Sequence, residues 1–223
     1  MKYKRIISIG AHSLDAELLG GPLLLKYSKL GAKCTYVHVT SGRLEDPKAT
    51  EIDKQLYINK IKEENIKAAH ALLADVYSFN YISSELPTTN EFINIIKDYL
   101  IKEKADLVIT HARGTLHPRH YYVYETVTMA IKQLRKEGYN INLLYGENCE
   151  DLIGFIPTLY ISISEEDKDI WFKGLSQYSI FNGKVNDMPY IQYYTAMLKI
   201  RAVEADTNSY VKAYMHAPLI DNE

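Results

Sequence analysis

Six short runs of apolar, mostly β-branched residues alternate along the chain with longer stretches that carry apolar residues at helical spacing. The short runs predict strands, and the stretches between them predict helices. Regular alternation of this kind favours an α/β fold, with a Rossmann-like, parallel or mostly parallel sheet and helices on both faces. The predicted strands are Arg5–Ile9, Cys34–Thr40, Val76–Tyr81, Leu107–Thr110, Asn142–Tyr145 and Leu159–Ile163, and the clearest predicted helices are Glu17–Leu30, Ile52–Leu73 and Glu91–Lys104.

Length and charge limit the kind of protein and partner. The chain has 223 residues, 47% of them hydrophobic, which predicts one α/β domain over residues 1–223. The formal net charge is −2 with acids and bases interspersed, so the chain has neither a nucleic-acid footprint nor a polybasic membrane patch. A small neutral or anionic metabolite is the partner that this balance favours, and a homo-oligomer stays open.

The chain also predicts a cytoplasmic location. Its first residues lead straight into a strand and lack the long apolar region of a secretory signal. No apolar run approaches the roughly 20 residues of a membrane span. The only cysteines, Cys34 and Cys149, are expected to be reduced thiols rather than a disulfide pair.

Two clusters of metal-ligand residue types follow predicted strands that are far apart in sequence. His12 and Asp15 follow the first strand, and His117 and His120 follow the fourth, three residues apart at the start of a predicted helix. The carboxyl ends of parallel strands meet at one edge of a sheet, so the two clusters are expected to converge there. Taken alone, Asp15 is better explained as the N-cap of the next helix.

The pairing of the two clusters predicts a divalent-metal site formed by His12, Asp15 and His120. Two imidazoles and one carboxylate leave the fourth position of zinc open, as in catalytic zinc sites. Iron, manganese and cobalt are compatible with the same ligands.

Several separated motifs resemble the PIG-L/LmbE family of zinc-dependent N-acetylglucosaminyl deacetylases and their relatives. The segment Gly10–Glu17 is similar to the family signature Ala-His-Pro-Asp-Asp-x-Glu, and His117-Pro118-x-His120 is similar to its second signature. The order and spacing of the motifs agree along nearly the whole chain. Further matching segments are Gly20-Gly21, Lys26-Tyr27, Gly31, Val37–Gly42, Thr110-His111, Glu147–Asp151 and Gly154-Phe155-x-Pro157.

The resemblance implies a role for each matching residue and exposes two departures. It makes His12, Asp15 and His120 the metal ligands, and His117 the imidazole that stabilises the developing oxyanion. The family's general-base aspartate is replaced by Leu14, which cannot transfer protons. The aspartate that would support a protonated His117 is replaced by Arg119, whose charge should disfavour the imidazolium.

Three functions stay open on these residues. The first is a zinc-dependent hydrolase of N-acyl, N-acetyl-sugar-like groups, slowed by the missing base, since general acid–base catalysis contributes about 10²–10⁴-fold. The second is an inactive homologue that binds metal and ligand. The third is a metal-dependent hydratase of the same superfamily, which Ser13 favours slightly because hydratase members carry an Ala-His-Ser-x-Asp variant.

Polar residues in nearby loops are candidates for substrate contacts. Arg43 stands where the family often has glutamate, which would favour anionic ligands, and Asn148 and Glu150 follow the fifth strand. A polar turn explains the last two nearly as well. His111 is expected to hold the loop by hydrogen bonds, and Arg201 is expected to be structural. His38, His70 and His216 receive no function, and the aromatic residues of the C-terminal third are interpreted as core or subunit packing.

Overall fold

The structure is a computed structural model and describes residues 2–42, 44 and 47–218. All the strands and helices listed above are present, with ends shifted by at most two residues. The strands are β1 Arg5–Gly10, β2 Lys33–Thr40, β3 Asp75–Tyr81, β4 Leu107–Thr110, β5 Asn142–Gly146, β6 Leu159–Ile163 and β7 Tyr210–His216. The helices are α1 Asp15–Lys29, α2 Glu51–Ala71, α3 Thr89–Glu103, α4 Pro118–Lys136, α5 Glu165–Leu175 and α6 Tyr190–Glu204.

The sheet is mixed but mostly parallel. Its strand order is β3-β2-β1-β4-β5-β7-β6, and the first five strands in that order are parallel neighbours. Strand β7 runs antiparallel to both β5 and β6. The mostly parallel sheet is thus confirmed, but β7 was not predicted. Lys212 interrupts its apolar pattern in the sequence, and yet the side chain is buried in the fold.

Apolar side chains form two clusters, one on each face of the sheet, because successive strand residues point to opposite faces. In β1, Ile6 belongs to the first cluster and Ile7 to the second. Helices α1, α2, α5 and α6 contribute to the first cluster, and α3 and α4 contribute to the second. Helices therefore cover both faces, as predicted. The core interpretation of the C-terminal aromatics is also confirmed for Trp171, Tyr178, Phe181, Tyr194 and Tyr214.

The position of β1 creates the crevice in which the site lies. It stands between β2 and β4, where the strand order reverses, and loops leaving a sheet at such a point diverge beyond the carboxyl ends. Gly10 ends β1, and a Cβ added there would lie 2.4 Å from the backbone nitrogen of Ala16. Glycine at this position therefore allows α1 to begin directly against the end of the strand.

Two further expectations bear on the cellular setting. None of the described helices has both the length and the apolarity needed to cross a bilayer. Cys34 and Cys149 are both free thiols, which agrees with the expectation of reduced cysteines.

Candidate active site

Three neighbouring strands deliver polar side chains to the crevice. The loop after β1 carries His12 and Asp15, and the segment after β4 carries His111, followed by His117 and His120 at the start of α4. The loop after β5 carries residues 147–151. The structure therefore brings together the two sequence clusters, and it adds a third group of residues from β5.

Asp15 is turned back onto its own loop. It is the first residue of α1, and its Oδ2 accepts a hydrogen bond from the backbone N–H of His12 at 2.8 Å. The N-cap of α1 is Leu14, which makes no side-chain capping bond. The N-cap explanation of Asp15 is therefore wrong, since its carboxylate faces His12 instead of the helix N-terminus.

The three predicted ligands meet around one oxygen atom. Asp15 Oδ2 lies 3.1 Å from His12 Nδ1 and 3.4 Å from His120 Nε2. Tetrahedral bonds of about 2.0–2.1 Å would place neighbouring ligand atoms roughly 3.3 Å apart, so these separations suit a small divalent cation. These two separations are compatible with a shared ion, and the assignment of the three residues as its ligands stays a prediction.

A buried carboxylate behind the cluster orients His120. Asp151 Oδ1 accepts from His120 Nδ1 at 2.9 Å, which leaves Nε2 of that ring free for a metal. Carboxylate–histidine pairs of this kind fix the ring and its tautomer in metal sites. No role was predicted for Asp151, although its place in the matching segment Glu147–Asp151, in the loop beyond β5, was the available signal.

His111 uses both of its ring nitrogens within the protein. Its Nδ1 donates to Asp151 Oδ2 at 2.6 Å, and its Nε2 accepts from the backbone N–H of Ala11 at 3.0 Å. The expected loop-holding role of His111 is therefore confirmed. Two sets of three described residues have ligand atoms that all lie within 4.8 Å of one another: Asp15, His111 and His120, and His12, His117 and His120. Neither is the full predicted set, although each shares two residues with it. The first set would need His111 to release Ala11, which disfavours it.

The electrostatics of the cluster favour a positive charge at its centre. Burial raises the pKa of Asp15, but His120 and His12 more than offset this and hold it well below the usual value. Burial likewise opposes the effect of His111 and His120 on Asp151, whose pKa is lowered to about 2. The pKa of His120 is raised to about 10 by Asp15 and Asp151 against the effect of burial. The two carboxylates of Asp15 and Asp151 therefore stabilise a nearby positive charge, which can be a protonated His120 or a metal ion.

His117 lies at the edge of the cluster and stays neutral. Burial, followed by His120 and His12, lowers its pKa to about 4, and Arg119 acts in the same direction. The expected effect of Arg119 is therefore present, although it is a minor cause beside burial. A neutral imidazole still donates one N–H bond to an oxyanion, but with less electrostatic stabilisation than an imidazolium.

The predicted substrate residues have different surroundings. Asn148 is buried, and its Nδ2 donates to Asp15 Oδ1 at 3.4 Å, so it contacts a predicted ligand. Glu150 has a side chain that is 56% exposed, with Oε2 at 3.7 Å from His120 Nε2. Arg43 lies outside the described residues. Substrate contact by these three residues stays a prediction.

Leu14 does not occupy a vacant catalytic position. Its side chain is buried in the first apolar cluster, and its backbone has a φ of 83°, where side-chain-bearing residues are strained. A carboxylate introduced at this position would be surrounded by apolar groups. Position 14 therefore supplies no catalytic base.

Two recessed openings meet at His117. A cavity of about 340 Å³ is lined by His12, Ser13, His117 and Arg119 on one side, and by α2 and the segment 178–185 on the other. A second, open groove that also borders His117 is lined by Glu150 and Cys149. A substrate bound across His117 would reach both openings.

Two cationic side chains, Arg201 and Lys212, hold the loop that follows β5. Glu147 is buried, and its Oε1 accepts from Arg201 Nε at 2.8 Å and from Nη2 at 2.6 Å. The Lys212 ammonium donates to the backbone oxygen of Glu147. The structural role expected of Arg201 is confirmed, whereas the support from Lys212 was missed along with strand β7.

His38 has a partner that the sequence did not indicate. Its Nε2 lies 3.0 Å from Glu17 Oε2, and both side chains are fully buried. Glu17 Oε1 also accepts from the Tyr178 hydroxyl at 2.8 Å. The sequence did not indicate this contact, because Glu17 lies 21 positions from His38 and 161 positions from Tyr178, and the three meet only in the folded core.

Comparisons with known proteins agree on the fold. The sequence profile of the PIG-L family, described as GlcNAc-PI de-N-acetylase, matches residues 7–131, which is more than half of the 223 residues. No curated protein matches the chain by sequence.

Similar solved structures include both deacetylases and a hydratase. GalB, the 4-carboxy-2-hydroxymuconate hydratase of Pseudomonas putida KT2440, is 16% identical, with a TM-score of 0.75 and 98% of each chain covered. The N,N'-diacetylchitobiose deacetylase of Pyrococcus horikoshii is 16% identical, with a TM-score of 0.73 over 97% of this chain and 84% of that one. The zinc-inhibited form of teicoplanin deacetylase Orf2 is 13% identical, with a TM-score of 0.70 over 98% and 100%. At these identities the likeness shows the fold.

Proposed function

Because the chain belongs to the GlcNAc-PI de-N-acetylase family, we propose that it is a divalent-metal-dependent hydrolase of N-acyl groups in which Glu150 replaces the missing base. The observation that carries the proposal is the position of the Glu150 carboxylate, 3.7 Å from His120 Nε2 and open to solvent. Leu14 is buried and unable to transfer protons, so a second carboxylate at the metal face supports an active site.

His12, Asp15 and His120 would hold the cation. When bound, it would polarise the acyl carbonyl and lower the pKa of a coordinated water. Asn148 and Asp151 fix the orientation of Asp15 and His120 through hydrogen bonds. These residues set the geometry, and proton transfer is left to groups nearer the solvent.

Glu150 would move the proton in both halves of the reaction. Its carboxylate takes a proton from the water that attacks the acyl carbon, and it returns that proton to the nitrogen as the C–N bond breaks. An amine leaves poorly unless protonated, so this second transfer is the step that Leu14 cannot support. His117 donates an N–H bond to the acyl oxygen as negative charge develops there.

Glu150→Gln tests the proposal because it keeps the size of the side chain and removes its basicity. Acetate release from N,N'-diacetylchitobiose and simpler N-acetyl compounds would be followed with zinc, manganese, cobalt or iron, since zinc inhibits one structural neighbour. The expected result is a fall in kcat of about 10²–10⁴-fold. Metal content should be unchanged.

Glu165→Gln, at an exposed glutamate in the first turn of α5, serves as the matched control. Full activity in both variants would contradict the role of Glu150. Loss of metal from Glu150→Gln would assign the residue to coordination instead.

A hydratase is the second candidate function. Adding water across a double bond requires no expulsion of an amine, and the similar fold of GalB carries such an activity. Ser13 Oγ is buried without a hydrogen-bond partner among the described residues, so it has a donor to offer. Loss of the conjugated absorbance of unsaturated oxo-acids, without acetate release from N-acetyl compounds, would favour this function.

An inactive binding protein is the remaining alternative. It would take up one equivalent of metal and fail in both assays. The cytoplasmic location, the sugar-like character of the substrate and the homo-oligomer stay predictions from the sequence.

A further inference from the structure

The cavity lined by Ser13 and His117 is also lined by a cationic side chain, Arg119, which has no carboxylate partner among the described residues. Arg119 lies in the first turn of α4, and its Nη2 donates to the backbone oxygen of Ser83 at 3.2 Å. This bond fixes the guanidinium at the cavity wall. Among residues 2–42, 44 and 47–218, no carboxylate oxygen lies within 4 Å of Arg119, and its Nε has no hydrogen-bond partner.

Two other polar atoms at the same cavity are also without partners. Ser13 Oγ and His117 Nδ1 are both buried and have no hydrogen bond to any part of the chain that the structure describes. A buried donor without a partner costs about 1–3 kcal/mol. Two such donors on one wall, Ser13 Oγ and Arg119 Nε, indicate that a polar ligand group completes their hydrogen bonding. The neutral His117 has a single N–H, which the proposed reaction uses.

The other charges of the cavity are already compensated. Lys60 Nζ lies 3.7 Å from Glu64 Oε1, and the same oxygen accepts from the Ser179 hydroxyl at 2.7 Å. Arg119 is therefore the uncompensated charge among the described lining residues. The ligand group that it faces should be an anion.

We propose that this cavity is a carboxylate subsite, so that the substrate is an N-acyl compound with a free carboxylate, such as an N-acyl amino acid. The assignment rests on the proposed hydrolase function. Arg119 and Ser13 would bind the carboxylate, while the acyl group lies across His117 toward Glu150. The guanidinium fork can pair with either a carboxylate or a phosphate. A carboxylate has fewer oxygens to satisfy, so it matches the small number of free donors better.

The test uses a matched pair of substrates that differ only in charge. N-acetyl-L-alanine and N-acetyl-L-alaninamide would be hydrolysed by the metal-loaded wild type, with N-acetylglucosamine 6-phosphate as a phosphate-bearing comparison. The wild type is expected to prefer the free acid. Arg119→Met should reduce kcat/KM for the acid by about tenfold to a hundredfold and leave the amide nearly unchanged.

Two variants separate recognition from folding and net charge. Arg119→Lys keeps the charge and loses the fork geometry, so it should retain part of the preference for the acid. Lys132→Met removes an exposed cation from the same helix and should change neither substrate. Unfolding curves for all variants would identify any that fail to fold.

Binding of N-acetyl-L-alanine to the Glu150→Gln variant tests the carboxylate subsite without requiring hydrolysis, so the subsite and the hydrolase function can fail separately. Calorimetry with N-acetyl-L-alanine should detect binding that disappears when Arg119→Met is added, even if no variant hydrolyses anything. Equal turnover of acid and amide by the wild type would overturn the subsite and leave the hydrolase standing. A preference for the phosphate compound would overturn the choice of a carboxylate.

Discussion

Two parts of the site differ in how many of their polar atoms have hydrogen-bond partners. The floor comprises Asp15, His111, His120, Asn148 and Asp151, and the mouth comprises Ser13, His117, Arg119 and Glu150. In the floor, each polar side chain contacts another part of the chain, as the pairing of Asp151 with both His111 and His120 illustrates. In the mouth, Ser13, His117 and Arg119 each have an unpartnered buried atom among the described residues.

The difference separates what the protein fixes before ligand binds from what the ligand completes. Metal ligands must be held close to their final geometry, and hydrogen bonds behind them do this. Groups that select a substrate need free donors and acceptors. Variants in the floor and below it should therefore affect stability and metal binding, whereas mouth variants should affect turnover and substrate choice.

The largest effect is expected below the floor, at Arg201. Arg201→Met removes the partner of the buried Glu147 carboxylate and should lower the free energy of unfolding by about 3–5 kcal/mol. Urea unfolding measures it. The double variant Glu147→Gln/Arg201→Met should recover part of the loss, because it also removes the buried carboxylate that Arg201→Met leaves without its guanidinium partner. A loss below about 1 kcal/mol, typical of exposed pairs, would show that the β5 loop does not depend on this pair.

The next effect compares floor and mouth directly at adjacent positions. Asp151→Asn weakens the support of His120 and should reduce metal affinity about 10–100-fold. Glu150→Gln makes the same chemical change in the mouth and should leave metal affinity nearly unchanged. Competition with a chelating dye measures both. Equal affinities for the two variants would remove the distinction between floor and mouth.

A third effect appears in the pH dependence of stability at Lys212. Burial lowers the pKa of this ammonium to about 8, whereas it is about 10.4 in an unfolded chain. Between these values the unfolded state binds more protons, so stability rises with pH. Relative to Lys212→Met, the wild type should gain about 2 kcal/mol of unfolding free energy between pH 8 and 10. Parallel pH profiles for the two proteins would mean that Lys212 does not titrate in this way.

The smallest effect concerns Leu14, which lies in the sequence between Ser13 of the mouth and Asp15 of the floor. Leu14→Ala and Leu14→Gly both remove the buried side chain, so their difference reports the backbone. In an ordinary helix or strand glycine is less stable than alanine by about 0.5–1 kcal/mol. At a φ of 83° the order should reverse, with glycine more stable by about 1 kcal/mol. Thermal unfolding of the two variants provides the comparison, and alanine as the more stable variant would argue against strain.

The sequence predicted those parts of the molecule that depend on local pattern. Apolar runs located six strands, and the strand-end rule brought His12 and Asp15 close to His120. Strand β7 was not predicted because Lys212 breaks its apolar pattern. The buried ammonium of Lys212 contacts Glu147 and two aromatic rings, and these come from distant segments of the chain.

Partners far apart in sequence account for most of what was missed in the site. The role of Asp151 depends on two histidines 31 and 40 residues away. The unpartnered atoms of Ser13 and Arg119 are properties of a shared cavity, which no motif encodes. Leu14 was correctly identified as a departure from the family motif, but only the fold shows that its side chain is part of the core.

The first turn of α4 carries His117, Arg119 and His120 within four consecutive positions. Successive helical residues are rotated by about 100° from one another, so neighbours in this turn project in different directions. A substitution at position 119 is therefore expected to change the lining of the cavity without displacing the imidazole of His120. If the proposed subsite is correct, variation at this one position would alter substrate choice while the predicted metal ligands keep their geometry.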